Sequence, residues 1–401
     1  MKKTTIGFFL SISYLYSAGY QNPNQSIDAS ALSTANVAYV KGADTAYYNP
    51  ANMVHNPNKN DFELDITYIS LSPINYKSSD EKYNINSNKI TAFIPTFHYV
   101  SPKLGINDIR LGLSITSPFG LTREWDSFPA NVTSKKYALK TIEINPTMAW
   151  QINDKTSFAL GIRYLKGDAE AILDGQVLPN PYYLSMNGNA YDIGYNIAIA
   201  YHYTPQLHFA ITYRSKMVLN LTGTSDAILS GNFIHSNANL SFLIPANLIV
   251  AVSYTFSNKL NIEVVYDKTY WSDTKKVDFD FSSPLLESIF GKPTAKKWNN
   301  STAYRIGITK EFAVFDLLFG AAYGTNPAPQ EYVSFSSVES DSYVLSSGIK
   351  YKPYEDFSVG MAILYSKYDS RTVYSENPFS PNGTFDNKSA FTLSLGVEKT
   401  F

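Results

Sequence analysis

Four basic residues, Arg163, Arg214, Arg305 and Lys350, recur at alternate positions of β-like runs. They share a face with Glu63, Asp65, Arg110, Asp192, Glu263, Asp267 and Glu398. A guanidinium or ammonium on such a face could receive a ligand carboxylate through charge-assisted hydrogen bonds. Arg163 and Arg214 are the first candidates for that role. The plainer use is ion pairing within the face, to Asp192, to Glu263 or to the segment that precedes the first strand. His98, His202 and His208 have the same parity, so a three-histidine metal site is one reading. Satisfied polar residues of a strand face are the simpler one. The chain contains neither Gly-x-Ser-x-Gly nor His-Glu-x-x-His, and it has no cysteine. Those patterns would carry hydrolytic, metalloprotease or thiol chemistry. We therefore expect no catalysis, no cofactor and no metal.

Strict alternation places these side chains. In 61–71, Phe62, Leu64, Ile66 and Tyr68 oppose Glu63, Asp65 and Thr67, the period-two pattern of a strand with one apolar face. Similar runs follow at 89–100, 107–117, 136–152, 155–170, 189–203, 206–222, 237–256, 259–281, 298–312, 315–325, 342–352, 356–372 and 387–401. Tight connections such as Asn153-Asp154, Thr204-Pro205 and Ser257-Asn258 alternate with long ones. An even number of strands with short turns at one end and long loops at the other describes an outer-membrane barrel. The expected fold is an all-β, transmembrane antiparallel barrel of about 14 strands.

Composition agrees. With 31 Tyr and 24 Phe, aromatic residues reach 15%, while charged residues are only 17%. Aromatic girdles and a charge-free lipid face require that combination. The net charge of −1 offers nothing to nucleic acid. No stretch is long and apolar enough for a helical span. Residues 1–18 read as a signal peptide, with Lys2 and Lys3 before the apolar Ile6–Leu15 and cleavage near Ser17 or Ala18.

Residues 19–60 lack any strand period and contain Asn49-Pro50-Ala51, a turn initiator. We read them as a hatch inside the barrel formed by 61–401. Ile69, Leu165, Val218, Val265, Leu318, Val344 and Leu364 are apolar yet share the inner parity. They suit packing on a hatch or lining a greasy pocket, and neither suits a wide channel. The outer loops are also apolar. Leu178 lies in 171–188, Phe233 in 223–236, and Leu285 and Phe290 on a short helix capped by Ser283, begun by Pro284 and stopped by Gly291. Such clusters mark ligand or partner sites, or pack together as a lid.

Ordered short motifs then accumulate. They are Ala18-Gly19-Tyr20-Gln21, Asn49-Pro50-Ala51, Ser117-Pro118-Phe119-Gly120-Leu121, Glu124-Trp125, Asn145-Pro146, Tyr213-Arg214-Ser215, Ile244-Pro245-Ala246, Trp271-Ser272, Pro327 with Pro329, and Ser340-Asp341. Together they make the chain resemble the FadL/TodX family of outer-membrane transporters for long-chain fatty acids and other hydrophobic compounds. Where that family usually continues with Arg, Ser342 and Tyr343 follow. The resemblance implies a fourteen-stranded barrel with an N-terminal hatch, acting as a monomer in outer-membrane lipid. It implies passive capture of a hydrophobic molecule at the outer loops and release by hatch movement, beside a kinked strand. Strand 107–117, with Gly112 as its weak point, is the candidate. Leu165 and Leu318 join the loop residues as apolar ligand contacts. Long-chain fatty acids are the expected cargo. Aromatic hydrocarbon uptake and a non-transporting adhesive or structural barrel are the alternatives.

Overall fold

The computed structural model describes residues 19–105, 109–374 and 381–401; the expected signal peptide lies outside them. Eighteen hydrogen-bonded segments form one sheet that closes on itself. Four of them continue a strand beyond a bend or break, so the wall has 14 strands. They are β1 (Asp61–Leu71), β2 (Ile90–Val100), β3 (Arg110–Thr116, resuming as Gly120–Glu124), β4 (Lys136–Asn153), β5 (Thr156–Asp174) and β6 (Tyr182–His202). Next come β7 (Leu207–Arg214 and Met217–Leu229), β8 (Asn232–Ile244 and Asn247–Thr255), and β9 (Leu260–Thr269, with Phe279–Phe281). The last are β10 (Ser301–Glu311), β11 (Phe315–Gly324), β12 (Ser342–Tyr354), β13 (Phe357–Tyr368) and β14 (Ser389–Thr400). Closure pairs β1 with β14, Asp61 opposite Thr400 and Leu71 opposite Ala390. No sheet edge is left over to meet hydrocarbon at that seam.

The period-two pattern becomes two environments. Leu64, Ile66, Phe93, Tyr191, Ile193, Val264 and Leu345 point outward, exposed, while their neighbours are buried in the lumen. Three expectations are corrected. The segments 171–188 and 223–236 are largely strand, because β7 pairs with β6 out to Leu229 opposite Tyr182. Strict alternation fades there because the inner face is covered again, by a cluster of Leu184, Met186, Ala227, Phe281 and Leu286. The stretch 118–135 contains Gly120–Glu124, which rejoins β4. The helix Pro284–Phe290 forms, but Ser283 makes no side-chain cap bond; instead Glu287 accepts the Phe281 N–H at 2.7 Å.

The chain before β1 fills the lower lumen. Helix α1 (Ile27–Ala31) begins at Ser26, whose Oγ accepts the Ala29 N–H at 3.1 Å. Helix α2 (Thr45–Tyr48) leads into a 3₁₀ turn, Pro50–His55, where proline's fixed φ suits the first position. The wall opposite is built of small residues. Ala51, Met53 and Val54 pack on Ala149, Ala159, Ala198 and Ala200. A Cβ on Gly320 would lie 2.1 Å from the Leu32 carbonyl carbon. Gly112 serves the same end: its Cβ would meet Met53 Sδ at 2.6 Å. It is a seat for the hatch, and the expected kink lies elsewhere, at Ser117–Phe119 between the two parts of β3.

Candidate functional site

Above the hatch lies a cavity of about 650 Å³. Tyr20, Leu121, Tyr137, Leu240, Phe242, Phe279 and Trp298 form its apolar surface. A smaller apolar recess of about 60 Å³, bordered by Leu139, Ala169 and Leu221, shares five of those residues. Tyr20 is the floor. Its ring meets Phe242 at 4.3 Å and Trp271 at 4.5 Å, and its hydroxyl donates to the Leu243 carbonyl. Gly19 precedes it at φ +70, where a Cβ would lie 2.5 Å from the Trp271 ring. Only glycine brings the hatch terminus under these aromatics without strain.

The opposite side is polar, with Thr274, Lys275, Lys276, Lys296, Ser334 and Ser336. Lys296 is 7% exposed, and among the described residues its Nζ donates one hydrogen bond, to Ser334 Oγ at 3.0 Å. Burial pushes its ammonium down to about 8, only partly offset by Glu339. A buried cation without a carboxylate in contact is poorly compensated. It is suited to receive one.

The wall opens beside the cavity. Strand β2 pairs with β1 along its whole length. With β3 it pairs only from Phe97 opposite Ile115 to Val100 opposite Gly112. The next bond on that side is Asn88 N–H to the Glu124 carbonyl at 2.9 Å. Among the described residues no wall strand pairs with the β3 side of 90–96, and Pro95 in that stretch has no N–H to offer. Ile90 and Ile94 line this break and belong to one buried apolar cluster with Phe119, Leu121 and Tyr20. Packed apolar side chains therefore connect the cavity wall to the break.

The four basic residues expected to meet a ligand lie lower; Arg163 is engaged by the wall, and Arg214, Arg305 and Lys350 by both hatch and wall. Arg163 donates to Glu143 Oε2 at 3.0 and 2.7 Å and to the Ser215 carbonyl at 2.8 Å. Arg214 pairs with the other Glu143 oxygen, donates to the Tyr47 carbonyl at 3.3 Å and covers the Tyr47 ring at 4.2 Å. Arg305 bridges Asp267 at 2.9 Å and the Ser33 carbonyl at 3.2 Å. Lys350 bridges Asp28 at 2.7 Å and Glu398 at 3.2 Å. Glu143, not Asp192 or Glu263, is thus the acidic partner of Arg163 and Arg214. Asp192 accepts the Val218 N–H at 2.6 Å. Glu263 accepts three successive hatch amides, Val37, Ala38 and Tyr39, at 2.7, 2.8 and 2.9 Å. A carboxylate cradled by backbone N–H groups is a strong anchor.

The hatch turn is equally fixed. Asn49 is fully buried, donates to the Val37 carbonyl at 2.9 Å and accepts the Ala51 N–H at 3.2 Å. Pro50 starts the 3₁₀ turn, and the Ala51 carbonyl accepts Ser157 Oγ at 2.7 Å. His202 faces Asn52 at 3.3 Å and its ring stacks between His55 and His208, at 3.8 and 3.9 Å. Burial holds His55 down, at about 4. Among the described residues no acid, histidine or cysteine group is arranged to hold a metal ion. A second cavity, about 320 Å³, opens below the hatch, bordered by eight carboxylates and three lysines.

The expected apolar contacts are dispersed. Leu318 packs on Ile27, Ala31 and Leu32 of the hatch. Leu165 is buried in the large upper cluster but does not border the cavity. Leu178 is half-buried at the tip between β5 and β6. Phe233 and Leu285 are 67% and 51% exposed at the outer rim, and Phe290 packs beside Tyr182. The cavity residues Phe242, Phe279, Trp298 and Lys296 were not singled out from sequence, since parity cannot say which inward residues stand above the hatch. Tyr20 was signalled, by the Ala18-Gly19-Tyr20-Gln21 opening.

Residues 9–401 match the family model described as outer membrane protein transport protein (OMPP1/FadL/TodX). The long-chain fatty acid transport protein of Escherichia coli K12 is 25% identical over 335 residues, 72% of this chain and 73% of that protein. Outer membrane protein P1 of Haemophilus influenzae is 24% identical over 346 residues, 77% and 72% of the two chains. A Pseudomonas aeruginosa FadL homologue superposes with a TM-score of 0.82 at 16% identity, over 96% of this chain and all of the other. The CymD monoaromatic hydrocarbon channel gives 0.73 at 17%, over 97% and 99%. The chain belongs to the OMPP1/FadL/TodX family of outer-membrane transport proteins and is not an enzyme.

Proposed function

We propose that this protein passively takes up long-chain fatty acids, held in the cavity above the hatch and released sideways through the break between β2 and β3. The observation that carries this reading is Lys296, a buried ammonium with no carboxylate in contact among the described residues, on the polar wall of a cavity whose other wall is apolar. A carboxylate would complete it, and each tail methylene buried among Leu121, Leu240, Phe242 and Phe279 adds about 0.8 kcal/mol. The exposed Phe233 and Leu285 at the rim supply a first contact for the tail. Below the hatch, eight carboxylates against three lysines oppose a fatty-acid anion, whereas above it three aspartates are balanced by three lysines, which favours the lateral route. The hatch turn Asn49-Pro50-Ala51 and the ion pairs of Asp28 and Lys41 with the wall keep the lower lumen shut. In this reading Arg214, Arg305 and Lys350 act as hatch anchors rather than as head-group ligands, and Arg163 fixes the Glu143 carboxylate that holds Arg214.

Aromatic hydrocarbons are the second reading, favoured by the ring cluster of Tyr20, Phe242, Trp271 and Trp298. Uptake of radiolabelled oleate and toluene by cells expressing wild type and Lys296→Met separates the two. Oleate uptake that drops in the variant supports the fatty-acid reading. Toluene uptake equal in both proteins, with no oleate uptake, supports the aromatic one.

A further inference from the structure

The break in β3 leaves Ser117 without a wall partner for its backbone, and the hatch takes that place: Asn22 Nδ2 donates to the Ser117 carbonyl at 3.2 Å, and Gln25 engages both the carbonyl and the N–H. Gln25 Oε1 accepts the Ser117 N–H at 2.8 Å, and Gln25 Nε2 donates to the Ser117 carbonyl at 3.0 Å. A carboxamide here presents the donor and acceptor that a neighbouring strand would have presented. The backbone of Gln25 is held as well. Its N–H donates to Tyr48 Oη at 2.6 Å, and its carbonyl faces His98 Nε2 at 2.8 Å. His98 Nδ1 lies 3.0 Å from Ser114 Oγ. Because a carbonyl can only accept, His98 carries its proton on Nε2, and Nδ1 accepts from the Ser114 hydroxyl. Gln25 is 1% exposed, His98 is fully buried, and the four polar groups of Gln25 are all used. The tie therefore joins β2 (His98), β3 (Ser114 and Ser117) and the hatch (Gln25) across the foot of the break.

We propose that His98 and Gln25 form the latch that holds the hatch terminus across this break, with His98 as a positioning residue acting through Gln25. The proposal rests on the lateral-release reading. Cargo that displaces Tyr20 from the cavity floor pulls on Gln21 and Asn22. Asn22 N–H donates to the Pro118 carbonyl at 2.7 Å, and Gly120 N–H to the Tyr20 carbonyl at 2.9 Å. Release of Gln25 from His98 and Ser117 is then the step that frees both edges of the break.

The test uses the full protein in outer-membrane vesicles. Gln21 and Phe119 form an isolated antiparallel bridge, the non-hydrogen-bonded kind whose Cα atoms lie about 4.5 Å apart, within reach of a disulfide. The chain has no cysteine of its own. In the Gln21→Cys/Phe119→Cys pair, mild oxidation reports how long the hatch terminus stays on β3. We expect sodium oleate to slow that cross-linking. We expect His98→Leu to slow it by about fivefold without ligand, the change one lost hydrogen bond supports. His98→Gln, whose amide can donate to the Gln25 carbonyl, should restore it. Unchanged heat-modified gel mobility confirms that the barrel is intact. Cross-linking in His98→Leu as fast as in the parent pair, with uptake still blocked by oxidation, would overturn the latch alone. Equal oleate uptake by oxidised and reduced pairs would overturn the lateral-release reading beneath it.

Discussion

The lower and upper halves of the lumen are held by opposite means. Below, the hatch is fixed by directional polar contacts: Glu143 between two arginines, Glu263 on three amides, Lys350 between two acids. Above, the side of the cavity that faces the hatch is bounded by non-directional apolar packing around Tyr20, Phe242 and Trp298. Hydrogen-bonded ion pairs give a single position and lose most of their value when displaced. Apolar surface tolerates many cargo positions at similar energy. A fixed floor under an adaptable chamber is what selective retention of a greasy molecule needs. The two halves meet at residues 19–25, which carry Tyr20 above and Gln25 below.

The contrast can be broken from the polar side first. Glu143→Ala leaves Arg163 and Arg214 buried without their carboxylate, which should cost about 3–5 kcal/mol. The expected result is a hatch that no longer docks, seen as ion current across a planar bilayer where wild type is closed. Gly320→Val drives a side chain into the Leu32 backbone and should destabilise docking by about 1–3 kcal/mol, with a smaller leak in the same recording. A leak from neither variant would mean that neither the Glu143 ion pairs nor the Gly320 seat sets the hatch position.

The upper half is sharpened by Lys296. Lys296→Met removes a charge-assisted hydrogen bond to a bound carboxylate and should weaken oleate binding about tenfold. Toluene binding should be unchanged; both are measurable by fluorescent-ligand displacement. The smallest effect is that of pH. Lys296 is held at about 8, so it is charged below that value and neutral above it. Oleate affinity should fall between pH 7 and pH 9, and Lys296→Met should flatten the profile.

The wall was legible in the sequence because a strand with lipid on one face must alternate, as Phe62 to Tyr68 do against Glu63 to Thr67. The hatch was legible as the one segment without that period. The ends of β5 to β8 were not, because beyond the membrane the inner face turns apolar, at Leu184, Met186 and Ala227, while the outer face is exposed and polar residues such as Asn187 and Asp226 stand on it, so the apolar-out pattern is lost. The site was read only in part. Parity brings Arg163, Arg214 and Leu318 inward correctly, but an inward residue serves the hatch or the cavity according to its height. Height is fixed by strand register and tilt, and periodicity does not encode either. Lys296 sits outside any wall strand, so no parity argument could reach it. The break in β3 carried a signal in Ser117-Pro118-Phe119, whereas Gly112 drew attention for a property it uses in seating Met53.

The route itself is the central claim, and photolabelling during uptake tests it most directly. A diazirine-bearing fatty acid would be supplied to cells expressing wild type, irradiated, and the adducts located by peptide mass spectrometry. Adducts on 90–96 and 117–121 together with Leu240 and Phe242 are predicted. Adducts concentrated below the hatch, on Tyr39, Lys352 or Phe357, would contradict lateral release and place the path through the lumen.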